Sequence, residues 1–469
     1  MLKDKKIIGG AVALGIGAFA TKLLGAIYRV PLTNLIGGFG LGLYQLVFPV
    51  YSVLLDFSGA GVPSALSKII SSVNEEQRKQ RATEYLKTSL KIFSLFGLIC
   101  SLLMLVFSFP LARLQGNESA SISYMTLAPA VILVSLISCY RGYFQGFMHM
   151  KPTAISQIIE QAVKLLFGLL FAYLLLPNVS LAVAGATFAV SVSELVALAF
   201  LMIKYKRHSG RFFPNLAVDT AKAEKRAKNI LKVVFPVTLV GIMLPLSHTV
   251  DSLLVVNILG KYRDDATTLY GLLSGVVCTI IGLPVSVCYG ISAVAIPAVS
   301  GAKSQAEKNK NAVKTLFFTF IVSLPCAIFC AYFAPFIIRL LFRRLSFNET
   351  VVAIRLLRIS SPCVVLLSLL QTANAVLIGK GEFYKPTVSL TIGVMVKTIV
   401  NVILLKMPEL NIYGGAFGLI ACYFTATLVN FILMAVSRKR LEFSDRAKLV
   451  KIKAVENESK RSCRGQYQS

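Results

Sequence analysis

Apolar runs of roughly 20 or more residues recur along this chain, each long enough to cross a bilayer core of about 30 Å. In lipid the backbone must satisfy its own hydrogen bonds, so such runs become helices or closed barrel strands. Barrel strands would alternate over about 10 residues. Continuous runs favour helices. The 469 residues are 56% hydrophobic and only 15% charged, with a mean hydropathy of +0.72. A soluble domain of this length would expose far more charge. Spans fall near 7–28, 39–62, 89–112, 124–146, 154–176, 180–203, 230–256, 268–297, 314–341, 351–378, 386–406 and 411–436. The expected fold is therefore an all-α membrane protein with about twelve transmembrane helices. The basic start, Met1 to Lys6, leads into a long apolar run without an A-x-A cleavage site, which reads as a retained first helix.

A net charge of +28 could suggest nucleic acid, but its distribution points to topology. Most Lys and Arg lie in the N-terminus, the even-to-odd loops and the C-terminal tail; Lys22, Lys164 and Lys397 lie mid-span. The positive-inside rule places that basic side, with both termini, in the cytoplasm. The basic loops around Lys79, Lys204 to Arg211 and Lys222 to Lys228, and the tail from Arg438, then fix topology and rest near anionic lipid. No RNP, zinc-finger or basic-zipper pattern accompanies them, so no nucleic-acid partner is expected. Nine cysteines form no CxxC pair, and only Cys326 and Cys330 share a helical face. They read as small core residues. Three histidines, His149, His208 and His248, offer no metal cluster.

The chain repeats itself with an offset of about 230 residues. Lys151-Pro152-Thr153 recurs as Lys385-Pro386-Thr387, Val163-Lys164 as Val396-Lys397, Gly185-Ala186 as Gly415-Ala416 and Leu43-Tyr44 as Leu269-Tyr270. Gly61 to Ser71 loosely matches Gly290 to Ser300. Six spans per half make the repeat parallel, with a pseudo-two-fold axis along the membrane normal. The expected organisation is a six-helix bundle over 1–203, a basic cytoplasmic linker over 204–229, a second bundle over 230–436 and a basic tail over 437–469. Two bundles rocking around a central cleft describe a transporter better than a channel, a receptor or a membrane enzyme.

Ionisable groups at bilayer depth normally face a cavity or a partner. Lys22 and Arg29 share a face of helix 1 and could form a cationic track for a phosphate-bearing substrate, though Arg29 can equally snorkel to the interface. Glu160 and Lys164 have the spacing of an intrahelical ion pair. Lys397, the repeat mate of Lys164, has Gly393 where an acid would stand, which leaves it unpaired and a stronger candidate; Asn401 lies one turn on. Glu194 can partner a lysine or carry a coupling proton. His248 and Asp251 share a face and form either a proton-linked pair or a polar cap. Asp56 precedes Ser58-Gly59-Ala60-Gly61. Gln371 with Asn374, and Arg141 with Gln145, are polar pairs of the kind that bond helix to helix.

Prolines 49, 236, 245, 284 and 297 and the glycines of helix 1 permit kinks and close approach. No phosphate-binding loop, G-x-S-x-G elbow or paired catalytic carboxylates occur in a fitting context. Neither an enzyme nor a bound cofactor is expected.

Two segments carry a resemblance. One is Lys22-Leu-Leu-Gly-Ala-Ile-Tyr-Arg29-Val-Pro-Leu, running into Gly40-Leu-Gly-Leu-Tyr44-Gln45 and Gly61-Val-Pro-Ser-Ala-Leu-Ser-Lys68. The other is Tyr140-Arg-Gly-Tyr-Phe-Gln-Gly146 with Lys151-Pro-Thr-Ala-Ile-Ser-Gln157 and Glu160-Gln161. Both resemble the stage V sporulation protein B branch of the multidrug/oligolipid/polysaccharide exporter superfamily, the polysaccharide biosynthesis proteins, a branch similar to the lipid II flippase of peptidoglycan synthesis. The resemblance covers residues 1–436. It implies two six-helix lobes around a V-shaped cavity in the bacterial cytoplasmic membrane. It also implies a substrate with an undecaprenyl tail, a pyrophosphate and a saccharide-peptide headgroup, met by basic residues of helix 1, here Lys22 and Arg29. Tyr44, Gln45, Arg141, Gln145, Lys397 and Asn401 complete the expected cavity. Asp56, Glu160, Lys164, Glu194, His248 and Asp251 are the coupling candidates, for H+, Na+ or the membrane potential. Such flippases often carry two further helices that form a lipid groove, and tend to be basic where this chain has Asp56. The expected partners are the bilayer, the undecaprenyl-linked substrate and cell-wall or spore-envelope synthesis machinery, around a monomer. The competing expectations are a cation-coupled small-molecule exporter of the same superfamily and a non-transport scaffold.

Overall fold

The computed structural model describes residues 2–73, 75–210, 220–302, 304–382 and 384–436. Side chains are described from residue 21 onward, apart from 22, 23, 26, 75, 76, 220–223, 240, 293, 294 and 297. Among the described residues the elements are all helical. Eleven helices among the described residues are long and apolar enough to cross a membrane, and the chain is a multi-pass membrane protein of two six-helix lobes.

The difference between eleven and the expected twelve lies at Gly37. Leu2–Leu55 is continuous by hydrogen bonding over 54 residues, a length of about 80 Å if straight. Gly37 breaks it with φ 70° and ψ −175°, a conformation that glycine reaches without steric cost. Tyr28 and Tyr44 would stand about 24 Å apart on one helix; their ring centroids are 6.4 Å apart. The chain therefore doubles back, giving α1 (2–36) and α2 (38–71). α2 passes through a π turn at Asp56–Ala60 and ends as Val62–Ser71. There follow α3 (Glu75–Val106), α4 (Ser121–Gly146), α5 (Lys151–Leu174) and α6 (Val179–Ser209). The second half holds α7 (Thr220–Leu259), α8 (266–300, with a π turn at Gly271–Val277), α9 (Gln305–Tyr332), α10 (347–379), α11 (Lys385–Leu404) and α12 (Tyr413–Val436).

Two expected spans are shorter than their apolar runs. The run 89–112 breaks at Phe107 into α3 and a short helix Ser108–Leu114. The run 314–341 breaks at Phe333 into α9 and Ala334–Leu341. The breaks occupy matching places in the two halves. α10 is divided at Ser361, where Pro362 lacks the N–H that would continue the ladder. Side-chain caps fix several helix starts: Asn178 on Leu181 N, Ser304 on Glu307 N, and a capping box of Ser346 with Glu349.

The cores show where the molecule is closed and where it is open. One large core takes residues from both halves, including Leu41, Tyr44, Tyr124, Val255, Tyr270, Leu273 and Leu357. It occupies the end of the molecule bearing the Gly37 turn. There Asn34 Nδ2 donates to Leu341 O at 2.7 Å, Asn117 Nδ2 to Thr267 Oγ1 at 3.0 Å and Gln115 Nε2 to Ser252 Oγ at 2.9 Å. α2 meets α8 backbone to backbone: a Cβ on Gly42 would strike the Thr267 carbonyl, and one on Gly271 the backbone of Gly42. At the other end, where the basic loops lie, the core divides. One part joins α2, α3, α4 and α6 with Ile230 and Val234 of α7. A separate part joins Ala295, Val299, Ala312, Ala375 and Val376 of the second half. The first turns of α7 thus pack against the first half, and Arg226 Nη1 reaches Glu84 Oε2 at 2.7 Å.

Candidate functional site

Among the described residues, two cavities between the halves stand out. One, of about 380 Å³, is lined by α2, α7, α8, α11 and α12, among them Gln45, Ser52, His248, Asp251, Ser274 and Asn401. The other, of about 340 Å³, is lined by α1, α2, α5 and α8, among them Thr21, Tyr28, Tyr44, Gln161 and Lys164. Arg29, Phe48 and Cys278 border both.

Arg29 does not snorkel to an end of α1. Its Nη1 donates to Thr279 Oγ1 of α8 at 3.1 Å. Five guanidinium donors in a planar fork leave capacity for an anion. Lys164 faces the second cavity, with Nζ 5.6 Å from the Tyr28 ring centroid. That distance suits a cation–π contact. The side chain of Lys22 lies outside the described residues.

The expected ion pair between Glu160 and Lys164 does not form. Glu160 Oε2 instead accepts from Arg141 Nη2 at 3.0 Å, while Arg141 Nε donates to Ser156 Oγ at 3.0 Å. Gln161 Nε2 donates to Glu160 Oε1 at 3.1 Å. Arg141 bonds α4 to α5 and is spent on structure; Gln145, on the same helix, is half-buried. Glu194 of α6 is 4% exposed, and among the described residues its Oε2 meets no hydrogen-bond partner. Among the described residues, neither Arg29 nor Lys164 has a carboxylate within ion-pair distance.

Lys397 corrects a second expectation. It is 3% exposed and paired, with Nζ at 2.5 Å from Asp251 Oδ2 and at 2.7 Å from Ser247 Oγ. Asn401 Nδ2 donates to Asp251 Oδ1 at 3.2 Å. Both carboxylate oxygens of Asp251 are thus held by α11. His248 Nδ1 stands 4.0 Å from Asp251 Oδ2, on the cavity side of the pair. Gln45 Nε2 donates to Ser274 Oγ at 3.1 Å across the two halves. Asp56, at the π turn of α2, faces Gly241 of α7, where a Cβ would lie 3.7 Å from its Oδ2. Among the described residues Asp56 has no hydrogen-bond or ion-pair partner.

Phe48, Tyr28, Ser274 and Thr279 escaped the sequence reading. The i, i+4 spacing of Tyr44 and Phe48 was visible, but an aromatic stripe reads as core until a cavity is known to border it.

Residues 7–303, well over half the chain, match the polysaccharide biosynthesis protein family. The chain belongs to that family. Residues 226–403 of this polysaccharide biosynthesis family member also match MatE. It is 24% identical to the lipid II flippase MurJ of Bacillus subtilis (strain 168) over 457 residues, covering 92% of this chain and 83% of the relative. It is 25% identical to stage V sporulation protein B of the same organism over 442 residues, with the same coverage. Among solved structures, an inward-facing multidrug resistance MATE family transporter of the MOP superfamily aligns with a TM-score of 0.72 at 16% identity, covering 92% of this chain and 99% of that one. An inward closed lipid II flippase MurJ aligns with a TM-score of 0.70 at 16% identity, covering 90% and 87%. The fold of this family member is that of the MOP superfamily, and it is a membrane transporter related to flippases and exporters alike.

Proposed function

We propose that this chain moves a polyprenyl-pyrophosphate-linked saccharide across the membrane by alternating access, with the basic end and both termini in the cytoplasm. The observation that carries this is a pair of cations, Arg29 and Lys164, on one cavity wall, neither with a carboxylate in ion-pair distance among the described residues. Among the described residues, the carboxylate that borders these cavities is Asp251, and it is already matched by Lys397. The surplus charge suits a diphosphate. Arg29 can engage phosphate oxygens through two parallel N–H bonds, and Lys164 adds a point charge. Carrying sugars and a pyrophosphate through hydrocarbon would cost several kcal/mol per unsatisfied polar group. A headgroup passing through the cavity, its tail left in lipid, avoids that cost.

Cells depleted of their own lipid II flippase, expressing this chain, are the test. Externally accessible lipid II is expected to return with the wild-type chain and to be lost in Arg29→Ala and Lys164→Ala variants that still insert. Wild-type rates in both variants would remove the cationic track. An inserted wild-type chain that restores nothing would exclude lipid II as the substrate.

A second reading, a cation-coupled exporter of small molecules, is favoured by the carboxylate of Asp56 and the Oε2 of Glu194, which among the described residues have no hydrogen-bond partner. It predicts loss of export in Asp56→Asn and Glu194→Gln, with Arg29→Ala tolerated.

A further inference from the structure

Phe48 and Arg29 border both cavities, and the ring does not stand alone. Tyr44 stacks on it, with centroids 4.3 Å apart and an interplanar angle of 27°. Tyr51 meets it edge-on at 5.8 Å, and Tyr28 of α1 lies 6.4 Å behind Tyr44. Tyr44, Phe48 and Tyr51 follow i, i+4, i+7 on one face of α2. The three tyrosines are 1%, 2% and 5% exposed, whereas Phe48 is half-buried. The ladder is thus a rigid core stack in which Tyr28 and Tyr44 line only the second cavity, while Phe48, the more exposed ring, borders both beside an arginine.

A pyranose ring has an apolar C–H face that packs on an aromatic ring, while its hydroxyls point to polar neighbours. A sugar esterified to a pyrophosphate needs the two recognition elements side by side: a cation for the phosphate and a flat apolar surface for the ring. Arg29 and Phe48 supply that pair. Gln45, Ser52 and His248, which line the same cavity as Phe48, supply hydrogen-bonding groups for the rim. A ring already held by packing loses little freedom when a ligand arrives, so its contact energy is kept. We infer that Phe48 is a saccharide-stacking platform, on which the first sugar ring lies while Arg29 holds the adjoining phosphate. The inference rests on the lipid-linked saccharide reading above and adds a subsite to it: selection for a sugar next to the pyrophosphate, independent of the polyprenyl tail.

The test uses the full chain in nanodiscs and two probes, undecaprenyl pyrophosphate and an undecaprenyl-pyrophosphate-linked disaccharide, with binding followed by native mass spectrometry. The readout is the ratio of the two dissociation constants. The wild-type chain is expected to hold the sugar-bearing lipid about tenfold more tightly, the scale of one good aromatic stacking contact. Phe48→Leu should bring the ratio close to one, and Phe48→Trp should keep it. An unchanged ratio in Phe48→Leu, or no preference in the wild-type chain, overturns the platform while leaving the flippase reading intact. Binding of neither probe by the wild-type chain removes both.

Discussion

Lys164 and Lys397 occupy corresponding places in the two halves, each thirteen or twelve residues into a helix that opens with Lys-Pro-Thr, yet they are used differently. Lys164 points its ammonium into a cavity and rests over Tyr28. Lys397 is buried and locked to Asp251 and Ser247 of α7. The difference begins one turn earlier. In α5 that position is Glu160, which turns away to Arg141. In α11 it is Gly393, where a Cβ would lie 2.6 Å from the Cys422 carbonyl and 3.0 Å from Ala426 Cβ. α12 packs too closely for an acid there, so the carboxylate for Lys397 comes from α7. One lysine remains available to a ligand, and the other became a tie between helices. A duplicated scaffold can thus divide cavity lining and bracing between its halves by changing the neighbours of a retained residue.

The largest test of this contrast is Asp251→Ala. Removing one partner of a buried pair typically costs about 3–5 kcal/mol, which should show as a marked drop in thermal stability in detergent. Adding Lys397→Met should recover most of it, because no unmatched charge then remains. If Asp251→Ala alone is as stable as the parent, the tie is not structural. Lys164→Met should do the reverse: little loss of stability, but at least about tenfold weaker binding of undecaprenyl pyrophosphate, the scale of one lost charge-assisted hydrogen bond. A smaller effect is expected from Gly168→Ala. Its Cβ would meet Tyr28 Oη at 2.5 Å, displacing the ring beneath Lys164. Overpacking of this kind costs about 1–3 kcal/mol and should weaken lipid binding alongside stability. Tyr28→Phe should be nearly silent, within about 0.5 kcal/mol, since among the described residues that buried hydroxyl has no hydrogen bond of good geometry to lose. A large loss there would mean that the hydroxyl, and not the ring, positions Lys164.

What the sequence made legible was periodic or local. Apolar run length placed the helices, and paired tripeptides such as those at Lys151 and Lys385 exposed the duplication. The breaks at Phe107 and Phe333 were invisible, because hydropathy continues across them. The site was legible as a set of charged positions but not as a set of pairings. Asp251 and Lys397 are 146 residues apart, and Arg141 and Glu160 are 19 apart on neighbouring helices. Spacing rules speak only within one helix, so they proposed Glu160 with Lys164 and left Lys397 single. Phe48 was hidden for a related reason: its spacing marks a face, and only tertiary packing tells whether that face meets protein or space.

α7 belongs to both halves at once. Ile230 and Val234 are sealed into the core of the first, while Ser247 and Asp251 are fastened to the second. The halves are therefore joined as by a spring clamped at its two ends, and neither can swing without loading the stretch between the clamps. Pro236, Gly241 and Pro245 fall in that stretch. The prolines omit backbone hydrogen bonds, and the glycine leaves room beside Asp56. Bending is cheapest in the same short interval that joins the two clamps, so the stiffness of some ten residues there would set how far one half can tilt against the other.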